Sequence, residues 1–302
     1  MKLATTTEDF CKYYPDDDKG RIIELAKAGF KYIDLSLFNN ETDKYLGDDW
    51  KDKIKQLKTL ADDLGVQFVQ MHSPALFEAG VCDDAFMHGL KTTIRSIEIC
   101  KELNIACTVV HGADNPEVSN KEQKFELNRK WYEQLIPVME YTGVEVLTEN
   151  SPAKKRLNWW YPMVTGKDLF DLCEYVGHPL FHACWDTGHA NMQNNQYDDI
   201  VAVGKHLKAI HFNDNDGVND LHTAPFMGNM NVDEIMQALI AVNYTGAVTF
   251  ESPSILGSAK KRRVFNGENR LSVAPLEVYR ASEKLLYEIG KSILSAYDLF
   301  ED

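Results

Sequence analysis

Eight short apolar segments recur along the chain, and stretches with the spacing of amphipathic helices lie between them. The segments are KLATTT, YIDLSL, VQFVQMH, ACTVVHG, EVLTEN, FHACWD, LKAIHFN and AVTFES. Several are almost continuously apolar, which is typical of parallel strands covered on both faces. Glycines stand where helices are expected to end, at Gly29, Gly65, Gly143 and Gly246. The pattern predicts an α/β fold, a (β/α)8 TIM barrel. The alternative, an open doubly wound sheet, lacks a glycine-rich fingerprint after the first strand.

Composition narrows the class of protein. The 302 residues show no linker or low-complexity tract, so we expect one domain over residues 1–302. A net charge of −14 argues against a broad nucleic-acid or anionic membrane surface. The first residues lack the apolar core of a signal peptide, and no segment has the length of a membrane span. Six cysteines without a CxxC pair favour reduced thiols, so a cytoplasmic location is predicted.

Polar side chains follow six successive predicted strands, from the third to the eighth. They are His72, His111, Glu149, Asp186 with His189, His211 with Asp220 and His222, and Glu251. The carboxyl ends of barrel strands meet at one mouth, where TIM barrels place their chemistry. We therefore expect these side chains to line one cavity.

Each of these residues also has a structural explanation when it is taken alone. Asp186 is a candidate N-cap of the next helix, with His189 pointing into solvent. A lone histidine or glutamate at a strand end is often structural. One shared site explains the six strands better than six unrelated structural roles do. So many buried charged groups also need charges of opposite sign close to them. A bound divalent cation supplies such charge.

Glu149, Asp186, His211 and Glu251 come from four successive strands and form an arc that can surround one ion. Carboxylates and imidazole suit Mn²⁺, Zn²⁺, Co²⁺ or Mg²⁺ without selecting among them. The other five residues bind either further metal ions or substrate hydroxyls, and the residues alone leave both roles open. They are His72, His111, His189, Asp220 and His222.

The motifs VVHG, LTEN, WDTGH, IHFND, DLH and FES, in this order, resemble the xylose isomerase-like TIM-barrel superfamily. That superfamily includes sugar and sugar-phosphate isomerases and epimerases, and also endonuclease IV. In its ketose epimerases, the positions that match Glu149, Asp186, His211 and Glu251 bind one divalent metal. The two glutamates there also exchange protons with the substrate, and the position of His189 contacts it. In endonuclease IV, all nine matching positions hold a three-zinc cluster that cleaves DNA beside abasic sites.

The resemblance predicts a metal-dependent sugar or sugar-phosphate isomerase or epimerase that works through an enediolate between Glu149 and Glu251. One alternative is an endonuclease IV-like zinc phosphodiesterase, since the chain keeps that enzyme's full ligand set. The net charge of −14 speaks against it, because phosphate-backbone affinity depends on Lys and Arg. Phe226 and Met227 also depart from the usual glycine-rich segment after the seventh strand, so the pocket rim is expected to differ in shape. The other alternative is a non-catalytic sugar-binding barrel.

Two loops are expected to shape the pocket. Trp159 and Trp160 follow the fifth strand, where they form either a lid over the sugar or a contact in a homo-oligomer. Basic runs at residues 154–156 and 260–263 are either solvated or bind a substrate phosphate. The expected partner is a small sugar or sugar phosphate.

Overall fold

The structure, a computed structural model, describes residues 1–38, 41–74, 84–113, 118, 120–152, 163–193, 195–257 and 273–301. Within them, eight parallel strands close into a barrel in sequence order. The strands are β1 (Lys2–Thr6), β2 (Tyr32–Ser36), β3 (Gln67–His72), β4 (Cys107–Val109), β5 (Glu145–Glu149), β6 (Phe181–Asp186), β7 (Leu207–Phe212) and β8 (Ala247–Phe250). The predicted (β/α)8 barrel is confirmed.

Helices alternate with the strands through the described part of the chain. They are α1 (Asp18–Ala28), α2 (Trp50–Leu64), α3 (Asp84–Leu103), α4 (Lys121–Glu133), α5 (Ile136–Thr142), α6 (Gly166–Val176), α7 (Thr187–Asn191), α8 (Tyr197–Val203), α9 (Val232–Ala241) and α10 (Leu276–Ala296). Short 3₁₀ helices cover Thr7–Phe10, Glu41–Tyr45 and Gly204–His206. Every helix among the described residues is too short or too polar to cross a lipid bilayer.

The barrel interior is filled by small and medium side chains below the mouth. Cys107, Val109, Leu147, Cys184 and Ala209 form one buried cluster. Because side chains alternate along a strand, residues two positions apart share a face. Leu147, Cys184 and Ala209 each lie two residues before a predicted site residue, so that residue also points into the barrel. The packed interior thus supports the floor of the site.

Three of the four predicted helix-ending glycines are confirmed. Gly29, Gly65 and Gly143 follow α1, α2 and α5 with φ angles of 118°, 67° and 72°. The prediction for Gly246 is wrong, because α9 ends at Ala241 and Asn243 takes the left-handed conformation, with φ 54°. A Cβ on Gly246 would lie 2.4 Å from the Tyr244 hydroxyl. That glycine makes room for a ring.

Candidate metal centre

The nine predicted residues gather at the carboxyl end of the barrel. We call Glu149, Asp186, His211 and Glu251 the central group; each offers one ligand atom, and these atoms lie within 4.8 Å of one another. The same spacing holds within two further sets: His72, Glu149 and His211, and the side group of His189, Asp220 and His222. His111 lies beside the first of these sets, with Nε2 3.0 Å from Oε2 of Glu149.

Strand direction explains why the central group converges. Glu149 and Asp186 are the last residues of β5 and β6, His211 lies near the end of β7, and Glu251 directly follows β8. In the sheet, Asp186 pairs in register with His211. Nδ1 of His211 lies 2.7 Å from Oε1 of Glu149 and 3.4 Å from Oε2 of Glu251. The imidazole therefore stands between the two glutamates.

Asp186 caps a helix and faces the centre at once. Its Oδ1 accepts a hydrogen bond from the backbone N–H of His189 at 2.6 Å, which is the N-cap interaction of α7. Its Oδ2 accepts from Nδ2 of Asn213 at 2.7 Å. The structural alternative, in which His189 points into solvent, is wrong, because that side chain is buried. The cap turns the chain so that His189 lies beside Asp220 and His222, the other two residues of the side group.

Backbone carbonyls orient three of the histidines. Nδ1 of His72 lies 2.8 Å from the Ser73 carbonyl, Nδ1 of His189 lies 2.7 Å from the Asn150 carbonyl, and Nδ1 of His222 lies 3.0 Å from the Glu251 carbonyl. A carbonyl only accepts, so each Nδ1 carries the proton and the neutral ring keeps its lone pair on Nε2. Such outer contacts are typical of histidines that bind metals.

The Nε2 atoms of these histidines face carboxylates. In the side group, Nε2 of His189 and of His222 lie 3.6 Å and 3.1 Å from Oδ1 of Asp220. Nε2 of His72 lies 3.9 Å from Glu149 and 4.0 Å from Glu251. The Nε2 atoms, which carry the lone pairs available to a metal, therefore lie beside carboxylates that could bind the same ion.

Several residues around the centre were not predicted from the sequence. Asn150 accepts from the backbone N–H of Asp186 at 2.6 Å and donates to its carbonyl at 2.9 Å. Asn213 holds the carboxylate of Asp186, and Gln70 contacts His211. Spacing gave a signal, since Gln70 lies two residues before His72 and Asn213 lies two residues after His211.

Burial and mutual contact shift the pKa values of the central group. Burial alone would raise the pKa of Glu149, but the charge of His211 and hydrogen bonds from His111 and His211 hold it well below its usual range. Burial also opposes the charge of Glu251, but the charge and the hydrogen bond of His211 lower its pKa to about 2. Burial raises the pKa of Asp186 to about 6. Both glutamates are therefore carboxylates at neutral pH.

Three of the outer histidines, His72, His189 and His222, have raised pKa values. Burial works against the charged form of His72, but the hydrogen bond with Glu149 and the charge of Glu251 raise its pKa to about 9. Burial likewise opposes the charge of His189, and Asp186 and Asp220 raise its pKa to about 9. The protonated imidazoles thus neutralise the charge of the carboxylates. A bound divalent cation would neutralise it instead, and carboxylate oxygens and imidazole nitrogens are suitable ligands for such a cation.

The predicted lid lies outside the described residues. The same holds for the basic runs at residues 154–156 and 260–263, as it does for Trp159 and Trp160 of the lid. Their predicted roles stay predictions.

A family model described as "Xylose isomerase-like TIM barrel" matches residues 22–268. The chain belongs to this family. An uncharacterised protein of Methanocaldococcus jannaschii is 23% identical over 218 residues, which is 70% of this chain and 73% of that protein. The family assignment agrees with the resemblance that the motifs indicate.

Two solved structures of sugar epimerases share the fold. D-psicose 3-epimerase from Clostridium cellulolyticum H10 superposes with a TM-score of 0.74 and 17% identity, covering 97% of this chain and 99% of that one. The 3-keto-D-glucoside 4-epimerase from E. coli gives a TM-score of 0.68 and 17% identity, with coverages of 95% and 99%. At this identity the likeness establishes the fold.

Proposed function

We propose that this protein is a metal-dependent sugar epimerase or isomerase in which Glu149 and Glu251 transfer the proton. The observation that carries the proposal is the central group, whose four ligand atoms lie within 4.8 Å of one another at the barrel mouth. The fold shared with epimerases of D-psicose and of a 3-keto-D-glucoside supports a carbonyl-bearing sugar as the substrate class. Free sugars and sugar phosphates both belong to that class.

The two glutamates are suited to exchange a proton. Epimerisation removes the proton from the carbon next to a carbonyl and returns one to the opposite face. When bound, a divalent cation supplies positive charge that stabilises the negative charge on the sugar oxygens. Glu149 and Glu251 lie on either side of His211, and their lowered pKa values keep them ionised. One carboxylate accepts the substrate proton and passes it to solvent. The other takes up a proton from solvent and delivers that proton to the opposite face.

Proton exchange in D₂O tests this proposal. The protein, loaded with Mn²⁺, Co²⁺, Zn²⁺ or Mg²⁺, is incubated with a panel of ketoses and ketose phosphates, and NMR follows deuterium uptake and epimer formation. Glu149→Gln and Glu251→Gln are each expected to lower turnover by about 10²–10⁴-fold, the usual contribution of a positioned acid or base.

Glu145→Gln is the matched control, because Glu145 begins the same strand that Glu149 ends. Its turnover is expected to equal that of the wild type. Undiminished turnover in Glu149→Gln, or in protein stripped of metal by a chelator, would overturn the mechanism. Sugar binding without turnover in the wild type would favour a non-catalytic binding protein.

A phosphodiesterase of the endonuclease IV type is the second candidate, and a specific observation favours it. The side group and the set around His72 each bring together ligand atoms beside the central group. Clustered metal ions activate water and stabilise a leaving oxygen in phosphodiester cleavage. Incision of a duplex that contains an abasic site, together with three zinc ions per chain, would favour this function. One ion per chain with ketose epimerisation favours the first.

A further inference from the structure

His211 differs from the three histidines that backbone carbonyls orient. Its Nδ1 faces the central group, 2.7 Å from Glu149 and 3.4 Å from Glu251. Its Nε2 lies 2.7 Å from Nε2 of the Gln70 side-chain amide, so in the structure the NH₂ group of the amide is the one nearer the ring. Gln70 therefore occupies the position relative to His211 that a carbonyl occupies relative to His72, His189 or His222.

This contact decides whether His211 can bind a metal. A neutral imidazole that offers the Nδ1 lone pair must carry its proton on Nε2, and that proton needs an acceptor. The amide of Gln70 has a carbonyl oxygen and an NH₂ group, and half a turn of the amide exchanges them. With the oxygen toward Nε2, the metal-binding tautomer is satisfied.

Gln70 is held in a buried position beside His211. Gln70 is buried, with 2% of its surface exposed, and its Nε2 lies 3.5 Å from Oδ1 of Asp34 on β2. The ring of His72 stacks on that of His211, with centroids 5.6 Å apart. A buried N–H without an acceptor keeps the full cost of its lost hydration. Loss of the amide would therefore penalise the tautomer that binds metal.

We propose that Gln70 is a positioning residue of the metal centre, which holds the proton of His211 on Nε2 and leaves Nδ1 to the metal. This inference rests on the proposed metal centre. It assigns Gln70 no contact with substrate. Removal of the amide is expected to lower metal affinity about 10–100-fold, as the loss of an outer-shell partner generally does.

Calorimetric titration of chelator-treated protein with Zn²⁺ and with Mn²⁺ tests the inference. Gln70→Met keeps the length of the side chain and removes both hydrogen-bonding groups, whereas Gln70→Glu keeps an oxygen toward Nε2. Gln70→Leu replaces the methionine variant if that one does not fold. Met71→Leu is the control, because Met71 is the adjacent buried residue of β3 and contacts Cys100 instead.

Weaker metal binding is expected in Gln70→Met, with recovery in Gln70→Glu and no change in Met71→Leu. Long-range ¹H–¹⁵N spectra of the Zn²⁺-loaded wild type are expected to place the His211 proton on Nε2. Equal affinities of Gln70→Met and the wild type, or a metal-bound His211 with its proton on Nδ1, would overturn the role of Gln70. A wild type that binds neither metal would overturn the metal centre itself, and this inference with it.

Discussion

Asp186 is fully buried, and each of its two carboxylate oxygens accepts a hydrogen bond. The backbone of His189 binds one oxygen, and the side chain of Asn213 binds the other. Since a carboxylate oxygen has more than one lone pair, both oxygens can still face a cation. The structural explanation of Asp186 as a helix cap and its expected place in a metal site are therefore compatible.

Gly188 controls how closely Asn213 approaches Asp186. A Cβ on Gly188 would lie 1.9 Å from Oδ1 of Asn213, so Gly188→Ala must displace the amide. We expect the variant to lose about 1–3 kcal/mol of unfolding free energy through overpacking and to bind metal about 10–100-fold more weakly. Gly177→Ala, at the left-handed end of α6, is the control. It is expected to lose stability and keep metal affinity. Unchanged metal binding in Gly188→Ala would contradict this account.

Metal binding is expected to strengthen as the pH rises from 6 to 9. The pKa values of His72 and His189 are about 9, so both rings are protonated at neutral pH. Deprotonation of these rings removes positive charge beside the carboxylates of the central group and frees their Nε2 lone pairs, so cation binding becomes more favourable and is coupled to proton release. Titrations with Zn²⁺ in buffers of different ionisation enthalpy measure the affinity and the protons released. Affinity that is constant or falls over this range would contradict the prediction.

At the scale of elements, two buried acids link the 3₁₀ helix after β1 to α10. Asp9 and Glu283 are 2% and 0% exposed, and Thr5 donates to Oδ2 of Asp9 at 2.6 Å. The other oxygen of Asp9 and both oxygens of Glu283 receive no hydrogen bond from an N–H or hydroxyl donor among the described residues. Burial raises the pKa of each acid well above its usual range, and each also interacts with the other. We infer that the pair is held together by a shared proton.

This pair makes the stability of the fold depend on pH. The pKa of each acid is higher in the folded protein than in the unfolded chain, where a carboxyl has a pKa of about 4. Protonation of the pair therefore stabilises the fold fully below the unfolded-state pKa. This stabilisation is lost as the pH rises through the folded-state pKa. Glu283→Gln supplies a permanent N–H donor, so it is expected to gain about 1–3 kcal/mol over the wild type at pH 8. Urea unfolding at pH 5 and pH 8 measures this. Glu288→Gln, on the exposed face of α10, is the control. A destabilised Glu283→Gln at pH 8 would refute the shared proton.

The element boundaries show where sequence rules apply. Gly29, Gly65 and Gly143 end helices because a left-handed residue is favoured there, and glycine adopts it at low cost. Asn243 fills the same role after α9, and Gly246 instead makes room for the Tyr244 ring. The first three follow from local backbone preference. The exception depends on a side-chain contact, which the local pattern does not encode.

At the scale of the whole molecule, the barrel topology made the site predictable. Parallel strands in sequential order bring their carboxyl ends to one mouth, so a residue's place at the end of a strand was enough to group Glu149, Asp186, His211 and Glu251. Which nitrogen of each histidine faces the centre could not be predicted. That depends on carbonyl positions after β3, β5 and β8 and on Gln70, all of which are set by packing.

Anomalous diffraction from crystals of the Zn²⁺-loaded protein tests the central claim most directly. A peak is predicted among Glu149, Asp186, His211 and Glu251, with metal–ligand distances of about 2.0–2.2 Å. Crystals that show no peak there, or peaks only at unrelated surface residues, would contradict the claim that these four side chains form a metal centre.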